Sequence, residues 1–272
     1  MRIAKLCITL GVTPSGYYAW DKRPESNRSK RRKEIAELVR EEYFKNHRIP
    51  GATKISKMLK KQGTHVGRRT VCGIMKENGW KSRVVKKYKA TTNSNHNLPV
   101  AENILNQDFA TIGANQKWVS DITYIQTDEG WLYLAGILDL HGKEVVGWAM
   151  GERMTKDLAI RALSQANMRR GNPRGVIIHS DRGSQYCSQD YQKLLNRGGY
   201  ICSMSRKGNC WDNAPMESFW GKLKQEWLNG KRFRTRESAK QAVFWYIEVY
   251  YKNYRLHESN GYETPAEYLK AA

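Results

Sequence analysis

The sequence predicts an α/β fold, in which a mixed five-stranded sheet flanked by helices follows an all-α region with a helix-turn-helix. Two changes along the chain support this division. Apolar residues recur at helical spacing up to residue 80, whereas strand-like runs begin at residue 117. Residues 1–100 hold 24 Lys and Arg against 7 Asp and Glu, whereas residues 101–272 hold 23 against 19. We therefore expect a polyanion-binding front and an ordinary globular domain behind it.

The overall composition limits the possible classes of function. Hydrophobic residues make up 40% of the chain, which is enough for a buried core and argues against wholesale disorder. The five cysteines are scattered without a Cys-X-X-Cys pair, so neither a disulfide framework nor a zinc ribbon is expected. The longest apolar run, at 131–138, is far shorter than the roughly 20 residues of a membrane-spanning helix. We expect a soluble, reduced, cytoplasmic protein with no membrane partner.

The front region, residues 1–83, is expected to be a helical DNA-binding domain. Two short helices joined by a tight glycine-containing turn, at 53–63 and 67–80, form a helix-turn-helix signature. A small helical bundle with a basic surface would give the same pattern, but the net charge favours contact with DNA. The residues expected to contact DNA lie on the second helix: Arg68, Arg69, Thr70 and Lys76.

Three further segments complete the expected organisation. Residues 84–112 are predicted to be a linker, because their first part is polar, basic and without periodicity. Residues 113–230 are predicted to form the sheet domain, and residues 231–272 a C-terminal helical extension. Near the end of that extension, Thr264 and Glu267 match a capping box that begins a short helix.

The sheet domain is predicted from five β-rich runs. The first three are separated by tight turns and should form an antiparallel meander. A helix precedes each of the last two strands, and long helices follow. This element order is the one expected of a ribonuclease H-like fold. The predicted strands are 117–127, 131–140, 144–150, 175–181 and 200–205, and the predicted helices are 155–170, 188–198 and 236–254.

Two acidic residues occupy informative positions on this predicted sheet. Asp121 lies inside the first strand, where a buried carboxylate is costly unless it is paired or binds a metal. Asp181 ends the fourth strand, at a sheet edge where α/β proteins commonly bind ligands. Asp121 could instead be an outward-facing strand residue, and Asp181 a turn or cap residue. If the two strands are neighbours, the two carboxylates can face each other.

A third acid is expected from the segment GNCWDNAPMESFWGKLKQEW at 208–227. Asp212 or Asn213 can cap a helix there, and Glu217 lies one turn inside that helix. Glu226, nine positions further on, falls on the opposite side of the helix. Glu217 is therefore the candidate third carboxylate.

Three carboxylates without clustered Cys or His favour Mg²⁺ or Mn²⁺ over zinc. Two such ions, about 4 Å apart, would activate an attacking oxygen and stabilise the leaving oxygen in phosphodiester cleavage or exchange. Lys224 lies seven residues after Glu217 on the same helix face, where it would hold a DNA phosphate. Taken alone, Lys224 would be an ordinary surface lysine.

Several motifs extend this pattern along the chain. WVSDITYI surrounds Asp121, HSDRGSQY surrounds Asp181, and SRKGNCWDNAPMESFWGKLKQE surrounds Glu217. The front carries LGVTPSGYYAW and THVGRRTVCGIMKENGW, and the end carries YRLHESNGYETPAEYL. Together these segments resemble the frame-B transposases of bacterial insertion sequences (the IS-three family), whose core is similar to that of retroviral integrases. The 35 residues between Asp181 and Glu217 match the interval typical of that family's acidic triad.

The resemblance implies that Asp121, Asp181 and Glu217 are catalytic ligands of two Mg²⁺ or Mn²⁺ ions. It implies a DNA transposase that cuts at insertion-sequence ends to expose a 3′ hydroxyl and then transfers that strand to another phosphodiester. The implied partners are DNA, as terminal inverted repeats and target, a free or fused frame-A segment, and further copies of the chain. Supporting residues are implied to be His179, Ser184 and Gln185 beside the second acid, and Asn209, Asp212 and Asn213 before the third. Arg206 and Lys207 are implied DNA contacts, although loop cations can also be simply solvated.

Two other functions fit parts of the sequence. A DNA-binding regulator with an inactive core would explain the basic front, but it offers no physical reason for keeping three acids. A ribonuclease or structure-specific nuclease on the same fold would use the same acids. Preference for an RNA strand in a hybrid, rather than for terminal DNA repeats, would identify the second alternative.

Overall fold

The computed structural model describes residues 3–83 and 99–271 of the chain. The chain divides into two compact units, residues 1–81 and 82–272. Within the described residues, no helix is both long enough and apolar enough to cross a membrane.

The first unit, within its described residues, consists of helices α1 (Ile3–Thr9), α2 (Pro14–Asp21), α3 (Asn27–Lys45), α4 (Ala52–Lys61) and α5 (Arg68–Glu77). Its core is formed by the apolar faces of α3, α4 and α5, where Val39, Ile55, Leu59, Val71 and Ile74 are almost completely buried. The predicted helix-turn-helix is present as α4 and α5. The chain between these two helices turns at a glycine with a positive φ of 85°, a conformation that side chains disfavour.

The second unit is built on one mixed sheet. Its strands are β1 (Lys117–Thr127), β2 (Gly130–Asp139), β3 (Val145–Gly151), β4 (Ile177–Ser180) and β5 (Ile201–Met204). Their order is β3-β2-β1-β4-β5, with antiparallel pairing among the first three strands and parallel pairing of β4 with β1 and β5. The predicted mixed five-stranded sheet, its meander and the adjacency of the first and fourth strands are confirmed.

Helices cover this sheet. They are α6 (Lys156–Arg169), α7 (Ser184–Cys187), α8 (Gln189–Gly198), α9 (Ala214–Leu223), α10 (Arg236–Phe244) and α11 (Pro265–Ala271). A short 3₁₀ turn precedes α9, and π-helical turns at Lys224–Leu228 and Trp245–Tyr251 continue α9 and α10. The capping box predicted at α11 is present, because the Thr264 N–H donates to Glu267 Oε2 at 2.9 Å and the Glu267 N–H donates to Thr264 Oγ1 at 3.2 Å.

The main core of the second unit lies between the sheet and α6, α7 and α8. Trp118, Ile137, Leu163, Ile178 and Tyr191 are almost completely buried there. Burial of each such side chain stabilises the fold by about 1.5–3 kcal/mol before the entropy cost of ordering it. This packed layer gives β1 and β4 a rigid support.

The predicted linker, 84–112, falls into two parts. Residues 84–98 lie outside the described residues. Residues 99–112 have no regular secondary structure but pack against the edge strand β5, where the Leu105 N–H donates to Ser203 Oγ at 3.0 Å. Leu105 itself is 1% exposed, so this part of the chain belongs to the body of the second unit.

Candidate active site

Asp121 and Asp181 lie on adjacent parallel strands. β1 and β4 are paired so that Val119 is opposite His179. Two residues further along, Asp121 is still inside β1, and Asp181 directly follows β4. Because side chains two positions apart share a face of a strand, this register brings the two carboxylates side by side. The Gly183 N–H donates to Asp181 Oδ1 at 2.9 Å and orients the second carboxylate.

Glu217 reaches the same region on α9, which packs across β1 and β2. Gly136 is opposite Asp121 in the β1–β2 register. A Cβ atom at Gly136 would lie 2.7 Å from both Met216 Cε and Trp220 Cη2. The absence of a side chain at Gly136 therefore allows the helix that carries Glu217 to lie close to the strand that carries Asp121.

Trp220 connects α9 directly to the first acid. Its Nε1–H donates to Asp121 Oδ2 at 3.0 Å, and the indole is only 3% exposed. Trp220 was not among the predicted site residues. Its position three residues after Glu217, which puts both on neighbouring parts of one helix face, was the signal that could have identified it.

All three carboxylates line one open cavity of about 1010 Å³. They come from three separate elements: Asp121 from β1, Asp181 from the end of β4, and Glu217 from α9. Aromatic side chains and a lysine complete much of the lining: Tyr124, Trp131, Tyr133, Trp211 and Lys222. Acids that are far apart in the sequence are thus brought to one solvent-accessible place.

The acids in this cavity repel one another. Burial, the neighbouring Asp181 carboxylate and, more weakly, Glu217 raise the pKa of Asp121 to about 8, despite the hydrogen bond from Trp220. Burial also raises the pKa of Glu217 above its usual value. Asp121 therefore has too little positive charge around it, although its charge interacts with the nearby Lys224 ammonium. A bound cation would supply that charge.

The donor set suits a hard divalent cation, because carboxylate oxygens are the protein ligands that Mg²⁺ and Mn²⁺ prefer. Among residues 3–83 and 99–271, no group of three or more His, Cys, Asp or Glu side chains is already arranged to hold a metal ion. Asp121, Asp181 and Glu217 thus fit such an ion by their chemistry and charge, but their side chains would have to close around it.

Lys224 is buried close enough to Asp121 for the two charges to interact. It is 7% exposed, and its ammonium nitrogen is 5.1 Å from the centroid of the Tyr124 ring. Burial lowers the pKa of Lys224 to about 8, although the charge of Asp121 opposes this shift. The side chain is therefore held against the protein, and its predicted contact with a DNA phosphate stays a prediction.

The loop before α9 is held by Asp212, which is fully buried. Its carboxylate accepts hydrogen bonds from Asn103 Nδ2 at 2.9 Å, from Gln107 Nε2 at 2.8 Å, and from the Arg206 N–H, Nε and Nη2 at 2.8, 3.0 and 2.7 Å. The hydrogen bonds from the Arg206 guanidinium hold the pKa of Asp212 well below its usual range. Asn103 and Gln107 carried no sequence signal, because they lie in a stretch without periodicity.

The expected side-chain caps of α9 are not formed. Asn213 is the N-cap residue, but its side chain makes no capping hydrogen bond. Its Nδ2 instead donates to Ser120 O at 3.1 Å, and its buried Oδ1 has no hydrogen-bond partner within the described part of the chain. The helical path begins earlier, in the 3₁₀ turn, so the cap is Asn209, whose Oδ1 accepts from the Trp211 N–H at 3.1 Å.

The three residues expected to support Asp181, which are His179, Ser184 and Gln185, lie in different surroundings. His179 is a fully buried residue of β4, with Nδ1 2.8 Å from Ser203 Oγ on β5 and Nε2 3.0 Å from Ser205 Oγ. Burial lowers the pKa of His179 to about 4, so the ring is neutral. Ser184 is exposed at the start of α7, while Gln185 lines the cavity and donates to a main-chain oxygen at 3.1 Å. Of these three, only Gln185 lines the cavity.

The predicted DNA contacts outside the cavity are mostly accessible. Arg68, Arg69 and Thr70 form the first turn of α5, and Lys76 lies in its last turn. The two arginines and Lys76 are exposed, as is Lys207 in the loop after β5. Their accessibility allows DNA contact, which stays a prediction for each of them.

Glu226 points away from the cavity, as its spacing from Glu217 predicted. It is 4% exposed and accepts hydrogen bonds from Arg255 Nη2 at 2.7 Å, Arg255 Nε at 2.8 Å and the Tyr246 hydroxyl at 2.8 Å. Both carboxylate oxygens of Glu226 therefore take part in a buried, hydrogen-bonded ion pair with Arg255.

Three family models match the chain. Residues 113–210 match one model described as integrase core domain, and residues 199–265 match a second model with the same description. Residues 30–88 match an HTH-like domain. The two integrase-core matches together span all three acids of the cavity.

Two relatives are similar over nearly their full lengths. The insertion element IS600 uncharacterized 31 kDa protein of Shigella sonnei is 45% identical over 97% of this chain and 97% of its own length. Transposase InsF for insertion sequence IS3A of Escherichia coli K12 is 42% identical over 98% of this chain and 93% of its own length. Among solved structures, a chain of the simian T-cell lymphotropic virus intasome in complex with PP2A regulatory subunit B56 gamma has a TM-score of 0.49 and 16% identity. That likeness covers 86% of this chain and 73% of the viral chain.

Proposed function

This chain belongs to the IS3 family of insertion-sequence transposases, and we propose that it cuts and joins DNA at insertion-sequence ends with Asp121, Asp181 and Glu217. The family resemblance predicted from the motifs is confirmed by the full-length similarity. The protein is a DNA transposase with an integrase core. The observation that carries the residue assignment is that these three acids, from three separate elements, line one open cavity.

The proposed reaction consists of two displacements at phosphorus. In the first, a water oxygen attacks the phosphodiester at the element's end, and the bond from phosphorus to the 3′ oxygen breaks. The departing oxygen takes up a proton and becomes a 3′ hydroxyl. In the second, that hydroxyl loses its proton, attacks a target phosphodiester and displaces the target's 3′ oxygen. Neither step requires a covalent bond between protein and DNA.

We propose that Asp121, Asp181 and Glu217 hold Mg²⁺ or Mn²⁺, with two ions per site. Such ions, when bound, activate the attacking oxygen and stabilise the leaving oxygen of a phosphodiester. The protein's own part is to orient the carboxylates. Trp220 holds one oxygen of Asp121, and the packing of α9 over Gly136 keeps Glu217 near the sheet.

The DNA partners are proposed to be the terminal inverted repeats of the element and its target. The basic front of the chain would bind the DNA backbone, since residues 1–100 hold 24 Lys and Arg against only 7 Asp and Glu. Residues proposed to touch DNA are Arg68, Arg69, Thr70, Lys76, Arg206, Lys207 and Lys224. We also propose that the active complex contains further copies of the chain and a frame-A segment, free or fused, and that it acts in the cytoplasm, where bacterial DNA lies.

The decisive experiment is cleavage and strand transfer of duplex DNA that carries the element's terminal repeats, with and without Mg²⁺. We expect Asp181→Asn to lower the cleavage rate by at least about 1000-fold, because a missing ligand removes several kcal/mol of stabilisation of the transition state. Binding of the same DNA should survive, since the first unit is unchanged.

Asp190→Asn is the matched control, because it makes the same substitution at an exposed acid on α8 that pairs with Lys156. That variant should cleave as the wild type does. Full cleavage by Asp181→Asn would refute the site assignment. Preferential cutting of the RNA strand in a hybrid would show that the protein acts on a different substrate.

A further inference from the structure

Trp211 is unusually exposed for an indole at the edge of a cavity. Its exposed fraction is 71%, and it contributes to the lining of the cavity that contains the three acids. A large apolar ring displayed to water in a concave site loses the stabilisation that burial would provide. Because Trp211 shares its cavity with other exposed aromatic side chains, it belongs to an apolar lining of the kind that ligand-binding grooves have.

The chain on both sides of Trp211 is firmly held. Its own N–H donates to Asn209 Oδ1 at 3.1 Å, and the next residue, Asp212, is fully buried and accepts hydrogen bonds from three residues. Six residues later comes Glu217. The indole is therefore attached to a fixed backbone close to a carboxylate of the site, so its exposure does not reflect a loosely held loop.

A second aromatic surface lines the same cavity. Tyr124 on β1 and Trp131 on β2 are diagonal neighbours in this strand pair, and they are 37% and 45% exposed. Their rings pack edge to face, with centroids 5.0 Å apart. The cavity volume of about 1010 Å³ is at the upper end of the roughly 300–1,000 Å³ typical of ligand sites. There is thus room for flat groups beside the acids.

We infer that Trp211 is a stacking platform for an unpaired DNA base next to the bond that is cut. This inference rests on the proposed function, which brings a DNA strand to the three acids. Every base has a flat π-face, and aromatic side chains stack on such faces with little dependence on sequence. An unpaired base next to the cut bond would cover the exposed indole and would fix the strand relative to Glu217.

A stacking role of Trp211 can be distinguished from its other roles by removing the DNA base on which it would stack. Duplex DNA ends would be prepared with an intact base or an abasic site at each position flanking the cut bond. Binding would be measured with the full chain carrying Asp181→Asn, which prevents cleavage, alone and combined with Trp211→Ala. Abasic DNA keeps all its phosphates, so electrostatic binding by the basic first unit cancels in the comparison.

With intact DNA, Trp211→Ala should weaken binding about tenfold, the size of one lost base–aromatic stack. With the abasic site at the stacked position, Trp211→Ala should have almost no further effect, because the base that it would stack on is already gone. Trp211→Tyr should restore most of the affinity for intact DNA. The matched control is Phe244→Ala, at an aromatic residue that is 53% exposed but does not line the cavity. Added to Asp181→Asn, it should leave the binding of both DNAs the same as with Asp181→Asn alone.

An equal effect of Trp211→Ala on intact and abasic DNA at every position would overturn the stacking role. This result would leave the proposed function intact, because that function is judged by Asp181-dependent cleavage. Conversely, the effect of Trp211→Ala on binding could depend on the base while the wild-type protein never cleaves. That result would contradict the proposed function but support the stacking role of Trp211.

Discussion

Glu217 and Glu226 lie nine residues apart on one continuous helical segment, and their surroundings are opposite. Glu217 lines an open cavity beside two other acids, and burial raises its pKa. Glu226 is buried, but Arg255 and Tyr246 satisfy its oxygens. Burial opposes the charge of Arg255, yet Glu226 beside it raises the pKa of the guanidinium above its usual value.

This difference shows how one helix can provide both stability and chemistry. The buried pair is complete within the protein, so it can only hold the C-terminal extension against α9. At the cavity, burial and repulsion between carboxylates raise the pKa of Asp121 despite the nearby Lys224 ammonium. This arrangement costs stability and favours the binding of a cation from solution. An acid that destabilises the folded chain is the better candidate for function.

The largest expected effect is the loss of chemistry at the cavity end of this helix. Glu217→Gln should lower the cleavage rate by at least about 1000-fold, because one of three proposed metal ligands is lost. Its melting temperature should be unchanged or higher, since the variant removes one of the repelling charges. A single-turnover cleavage assay and a thermal melt test both parts. A strongly destabilised Glu217→Gln protein would mean that this acid is structural.

The opposite result is expected at Glu226. Glu226→Gln should lower the free energy of unfolding by about 3–5 kcal/mol, because it leaves the buried Arg255 charge unpaired. The melting temperature should fall by roughly 10 °C. Cleavage per folded molecule, measured well below the new melting temperature, should stay within a few-fold of the wild type. Loss of cleavage in a sample shown to be folded would contradict this separation of roles.

A smaller effect is expected from the pH dependence of Asp121. Because its pKa in the folded, metal-free protein is raised to about 8, its contribution to stability is present below pH 4 and is lost as the pH rises towards 8. Asp121→Asn does not ionise, so it should melt roughly 3–6 °C above the wild type at pH 8.5 in the presence of a chelator. At pH 4 the two melting temperatures should converge.

Adding Mg²⁺ gives a second test of the difference in melting temperature between the wild type and Asp121→Asn. Mg²⁺ should stabilise the wild type at pH 8.5 and so narrow the gap to Asp121→Asn, because a ligand that binds only the folded protein raises its stability. A gap that is the same at both pH values and insensitive to Mg²⁺ would show that the carboxylate is not strained by its neighbours.

Much of the second unit could be predicted from local patterns. All five strands were expected within two residues of their observed ends, because alternating and apolar runs specify strands through local burial. The parallel neighbours β1 and β4 followed from the element order, and the place of Asp121 and Asp181 followed from that. By contrast, the burial of Lys224 was not predicted, because it depends on how a π-helical turn packs beside Tyr124.

Other features of the site depend on contacts between residues about a hundred positions apart. The hydrogen bond from Trp220 to Asp121, and those from Asn103 and Gln107 to Asp212, join elements that no periodicity connects. The expected caps of α9 failed for a related reason. A side chain at a helix start can bond either to its own helix or to a distant strand, and Asn213 bonds to Ser120.

The sequence by itself determined the strands, the charge division between the two regions and the choice of the three candidate acids, because these depend on residue type, motifs and short-range spacing. Only the tertiary structure decided how the acids are held and shielded. The importance of a glycine at position 136 becomes clear only from the packing of α9 over it. The raised pKa of Asp121 likewise requires that the fold bury this carboxylate next to Asp181. Electrostatic and steric effects of this kind depend on distances through space, which the order of residues along the chain does not specify.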